Sequence, residues 1–143
     1  MATCREVMTA DPVCCLGITT VDQAAQMMRD EEVGPIPVVE NFQTHKLIGI
    51  ITDRDLTLKV LAEGRDPSTT RVQEVMTQDV ATCKPDDDLQ KAMGAMAAHQ
   101  VRRIPVVDEN GSIVGIVAQA DIATRVENPV KTAEVVEAIS KPA

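Results

Sequence analysis

Apolar positions along this chain follow two periods, and each period occurs twice. Val21, Ala24, Ala25 and Met28 fall on one face of a helix, and Leu89, Ala92, Met93 and Met96 repeat that spacing later in the chain. A short extended segment precedes each helix, at residues 13–15 and 81–83. After each helix comes a β-branched run (residues 36–39 and 104–107), a polar turn, and a second apolar run (47–51 and 113–117). Such runs bounded by turn residues read as strands, and Asn110-Gly111 in the second turn is a hairpin signal. A further helix follows each second strand. The pattern therefore predicts strand, helix, strand, strand, helix, twice over.

Specific residues keep the same register. Glu6-Val7-Met8-Thr9 recurs as Glu74-Val75-Met76-Thr77, and Ile36-Pro37-Val38-Val39 as Ile104-Pro105-Val106-Val107. A third landmark, Gly49-Ile50-Ile51-Thr52-Asp53-Arg54-Asp55, returns as Gly115-Ile116-Val117-Ala118-Gln119-Ala120-Asp121. A chain with such self-similarity is read as a repeat first. Repeat 1 takes residues 1–64, a linker and lead-in 65–76, repeat 2 residues 77–127, and a C-terminal helix 128–143, where Ala133, Val136 and Ile139 share a face. Two such repeats make an α+β domain with pseudo-twofold symmetry.

The third landmark also carries the candidate chemistry. Thr52 is a natural N-cap and Asp55 stands three residues on, so the pair can cap the helix without any ligand. The same helix start, with N–H groups and a positive dipole end, also suits a phosphate, while the carboxylate suits a ribose diol. Both readings stay open on these residues.

Composition narrows the partners. Hydrophobic residues make up 44% of the 143, but aromatics only 1%, with Phe42 alone. The core must be aliphatic, and stacking platforms for single-stranded nucleic acid are missing. A formal net charge of -8 leaves no basic field for a phosphate backbone, so a nucleic acid polymer is not expected. No apolar run is long enough to span a bilayer and residues 1–9 form no secretory signal, so the expectation is a cytoplasmic protein away from the membrane. Four cysteines lack C-x-x-C spacing and only two histidines are present, which argues against a zinc site; Cys15 and Cys83 do occupy equivalent repeat positions. Asp86-Asp87-Asp88 is read as a helix cap, not a metal site. His45 and His99 lie in no nucleophile–base constellation, so no catalytic residue, metal or cofactor is expected.

The doubled V-M-T, I-P-V-V and G-h-h-T/x-x-x-D landmarks resemble the cystathionine β-synthase (CBS) domain over about residues 5–126. The resemblance implies a tandem CBS pair whose clefts bind adenosine derivatives such as AMP, ADP, ATP or S-adenosylmethionine, and which dimerises. It makes Thr52 a phosphate contact and Asp55 a ribose contact in one cleft, and Asp121 the ribose contact in the other. Val33, Ile36, Val101 and Ile104 would line the adenine slots, and Thr19 is placed to reach the cleft of Asp121. Arg102 and Arg103 match basic residues that meet phosphates in related pairs, and a guanidinium can hold phosphate oxygens bidentately. Ala118 departs from the pattern by lacking the hydroxyl, which implies unequal clefts. The function expected is a regulatory ligand-binding module, not an enzyme, signalling in trans to an unknown effector; the alternative is a dimeric interaction scaffold without a small ligand.

Overall fold

The computed structural model describes residues 2–125. In chain order the elements are α1 (Cys4–Val7), β1 (Thr9–Ala10), β2 (Cys15–Leu16), α2 (Val21–Glu31), β3 (Pro35–Val39) and β4 (Leu47–Thr52). Helix α3 opens as Asp53–Asp55 and continues with π-helical turns over Leu56–Leu61. Then come α4 (Val72–Val75), α5 (Leu89–His99), β5 (Arg103–Val107), β6 (Ile113–Ala118) and α6 (Gln119–Arg125). The expected final helix at 128–143 lies outside the described residues.

The predicted α+β repeats are present. Helices α2 and α5 turn the expected faces inward, burying Val21, Ala24 and Met28 in one case and Leu89, Ala92, Met93 and Met96 in the other. Ala25 stays exposed. Each helix ends on a left-handed residue, Glu32 and Gln100, after which the N–H groups of Val33 and Val101 turn back to the carbonyls of Met28 and Met96, both at 3.0 Å. Asp88 caps α5 by accepting from the Gln90 N–H at 3.0 Å, as the acidic run predicted.

The chain forms two compact units. One is Pro12–Val80; the other joins the residues up to Asp11 to those from Ala81 onward. In the first unit β2 pairs parallel with β3, and β3 antiparallel with β4. A lone bridge adds Thr77 to β4 opposite Ile50. In the second unit β5 and β6 form the matching hairpin, Thr9 in β1 pairs with Ile116, and Cys83 bridges to Val106 in parallel. The V-M-T segment of each sequence repeat is thus paired into the sheet of the other. Buried Val72 and Val75 belong to the core containing Ile36, Val38 and Ile51, whereas Cys4 and Val7 belong to that of Ile104, Val106 and Val117. Each fully buried Val or Ile contributes about 1.5–3 kcal/mol, so these short segments are integral to their units.

Candidate functional site

In the unit Pro12–Val80, register places the strand-to-helix junction. Pro35 pairs with Thr52, and the Asp53 N–H donates to the Gly34 carbonyl at 3.0 Å, so the start of α3 is fixed to the start of β3. Thr52, still extended, closes a capping box with Asp55. Its hydroxyl oxygen accepts from the Asp55 N–H at 3.1 Å, and its own N–H donates to Asp55 Oδ2 at 3.0 Å. The capping reading is therefore realised.

The N–H groups at this helix start differ from the expectation that they lie open to a phosphate. Those of Asp53, Arg54 and Asp55 already meet the Gly34 carbonyl, Asp53 Oδ1 and the Thr52 hydroxyl respectively. The cap and the strand satisfy the donors that a bare helix start would expose. Thr52 nevertheless keeps a proton to give, because a hydroxyl can accept and donate together.

Asp55 is 7% exposed and is held by more than its cap. The ammonium of Lys59, one turn on, lies 3.0 Å from Asp55 Oδ1 and also donates to the Val75 carbonyl at 3.0 Å. The Thr77 hydroxyl lies 3.3 Å from Oδ1 and 3.5 Å from Oδ2. Thr77 is itself fixed by a reciprocal pair of backbone bonds with Ile50, both at 2.9 Å. Neither Lys59 nor Thr77 was singled out from the sequence. Thr77 was visible as the end of a repeated landmark, but its role depends on the pairing of that segment with β4.

The second unit builds a similar junction with different chemistry. Arg103 pairs with Ala118, and the Gln119 N–H donates to the Arg102 carbonyl at 2.8 Å, matching the bond from Asp53 to Gly34. Ala118 supplies no cap hydroxyl. Asp121 is half-buried in the first turn of α6, and the side chains of Arg102 and Arg103 are exposed.

The other candidate residues are placed as follows. Val33 and Val101 are 39% and 37% exposed just before β3 and β5, which leaves apolar surface available there. Ile36 and Ile104 are fully buried, each in the core of its own unit. Thr19 is half-buried, and its hydroxyl accepts from the Leu16 N–H at 3.1 Å just before α2. The structure brings Thr52 and Asp55 into direct contact within one unit, and places Arg102, Arg103 and Asp121 around the junction of the other.

Among the described residues no group of three or more His, Cys, Asp or Glu is arranged to hold a metal ion, and no helix is long and apolar enough to cross a membrane.

Comparison with known proteins bears on this geometry. The family model for the CBS domain matches twice, over residues 4–62 and 72–128. CBS domain-containing protein YhcV of Bacillus subtilis is 41% identical over 86% of this chain and 84% of its own length. Hypoxic response protein 1 of Mycobacterium tuberculosis is 37% identical over the same shares. A crystal structure of hypoxic response protein I with two coordinated zinc ions matches at a TM-score of 0.79 and 36% identity, covering 87% of this chain and 99% of that one. The CBS domain pair of protein MJ0100, solved in complex with 5′-methylthioadenosine and S-adenosyl-L-methionine, matches at 0.77 and 26% identity over 86% of this chain and 98% of its own.

Proposed function

The chain belongs to the CBS domain family, carrying two copies in tandem, and on that premise we propose that it is a regulatory module that senses an adenosine derivative and signals in trans. AMP, ADP, ATP and S-adenosylmethionine form the ligand class. The observation that carries this reading is the Thr52–Asp55 junction, where a hydroxyl proton and a buried carboxylate stand together at a helix start. Thr52 would donate to a phosphate and Asp55 would accept from a ribose hydroxyl. Asp121 would do the latter at the other junction, with Arg102 and Arg103 supplying positive charge. Val33 and Val101 offer apolar surface to a base; with no stacking ring, recognition of it would rest on shape and be permissive. The adenosine compounds in the MJ0100 pair support the class. We place the protein in the cytoplasm as a homodimer without enzymatic activity, its effector a separate protein.

A dimeric scaffold without a small ligand is the second reading. It is favoured by one observation: Asp55 already has protein partners on both oxygens. One experiment separates the two. Thermal melts of wild type, Asp55→Ala, Asp121→Ala and Thr52→Ala are taken with AMP, ADP, ATP, S-adenosylmethionine, NAD and guanine nucleotides at about millimolar concentration. A ligand at a hundred times its dissociation constant adds about 2.7 kcal/mol, a rise of several degrees. The sensor predicts a shift confined to adenosine compounds and lost in one aspartate variant. The scaffold predicts no shift in any protein, with Thr52→Ala costing about 1 kcal/mol with or without nucleotide.

A further inference from the structure

The Asp55 carboxylate has about four acceptor positions. Three donors already address it: the Thr52 N–H at Oδ2, the Lys59 ammonium at Oδ1, and the single proton of the Thr77 hydroxyl, shared between the two oxygens. About one position is left. A ribose presenting both hydroxyls of its diol needs two, so one protein donor must withdraw. Thr52 N–H is held by the backbone of the cap, and Thr77 is pinned to Ile50 by two backbone bonds. Lys59 is different, because its side chain is 45% exposed and its flexible stem can carry the ammonium into water.

We propose that Lys59 is a specificity-determining residue of this site: its ammonium occupies the place on Asp55 that a second sugar hydroxyl takes, and gives it up when a ribonucleoside ligand binds. This rests on the adenosine-sensing reading above. The same ammonium holds the Val75 carbonyl at the end of α4, so its withdrawal also removes one bond from the segment that leads into Thr77. Occupancy of Asp55 by a diol and the Lys59 clamp on residues 75–77 exclude one another. By linkage, whatever strengthens the clamp weakens ribonucleoside binding, and the reverse.

The test is calorimetric titration of AMP and 2′-deoxy-AMP into wild type, Lys59→Met and Lys59→Arg, with Lys59→Gln as a second uncharged variant should the methionine protein fold poorly. The uncharged variants should bind AMP about five- to tenfold tighter than wild type, the difference of one hydrogen bond, and gain nothing for 2′-deoxy-AMP, while Lys59→Arg stays near wild type. AMP binding seen only in the uncharged variants supports the proposal too. Equal affinity for AMP in all proteins overturns this proposal and leaves the sensor reading standing. Weaker AMP binding without Lys59, or an equal gain for both nucleotides, overturns it as well, since Lys59 would then act through its charge alone. No binding of AMP in any protein overturns it, and silence across the whole panel of melts removes the sensor reading with it.

Discussion

Cys15 sits 2% exposed in β2, paired with Val38, and burial with Cys14 beside it pushes its thiol up to about 12. Burial alone takes Cys14 to about 11. Cys83 and Cys4 are raised too, burial again leading, and both lie in one core. The thiolate is the nucleophile, so such thiols are poorly suited to redox chemistry. Linkage fixes the pH dependence. In the unfolded chain these thiols ionise near 9.0, whereas Cys15 in the fold holds its proton to about 12. Its contribution is complete below pH 9 and is lost as pH rises toward about 12. Urea midpoints should therefore fall between about pH 8.5 and 11, and fall less steeply in Cys15→Ala, although that variant starts lower because it leaves a cavity. A slope unchanged in Cys15→Ala would remove the assignment. The equivalence of Cys15 and Cys83 was legible in the sequence, as was the Thr52 cap. That Cys4 and Cys83 share a core was not, because Val72 is the repeat counterpart of Cys4 and no thiol pattern announces it.

At the scale of elements, the glycine that opens the third landmark has a reason that its spacing did not show. Gly115 in β6 lies under the side chain of Met8, so a Cβ there would collide with the Met8 sulfur and come within 2.8 Å of its Cγ. Gly49 in β4 lies under Met76 in the same way, but its added Cβ would also stand 2.8 Å from the Thr77 carbonyl. The two substitutions should differ. Met8 is flexible and can give way, so Gly115→Ala costs about 1 kcal/mol. The Thr77 carbonyl is fixed by the Ile50 N–H at 2.9 Å, so Gly49→Ala costs about 2–3 kcal/mol. Urea unfolding of the single and double variants checks this. Met8→Ala should relieve Gly115→Ala, while Met76→Ala should leave most of the Gly49→Ala cost in place; equal relief in both pairs would mean that the backbone contact at Thr77 does not matter. Strands and helices could be read from period and turn residues, since those signals are local. The methionine over each glycine comes from a distant segment, and the π-helical turns that carry Lys59 have no sequence pattern to announce them.

At the scale of the whole molecule, the sequence repeat and the compact unit are different divisions of the chain. A repeat is visible because residues recur in register, yet register is silent about which copy of a segment pairs with which sheet. The landmarks around Met8 and Met76 read alike, and the structure joins each to the hairpin of the other repeat. The difference has a measurable consequence for fragments. Residues 12–80 keep β2, β3 and β4 together with Val72, Val75 and Thr77, so one complete core and the partners of Asp55 remain. Residues 1–64, nearly as long, lose Val72 and Val75 and retain Cys4 and Val7, whose core lies elsewhere. A domain this small is marginal, and two missing buried valines remove about 3–6 kcal/mol of burial from it. Expressed alone, fragment 12–80 should show a cooperative urea transition by circular dichroism and fragment 1–64 should not. A cooperative transition in 1–64 with none in 12–80 would show that the segment following α3 is dispensable to its sheet, and the link from Asp55 through Lys59 and Thr77 to residues 75–77 would lose its structural basis.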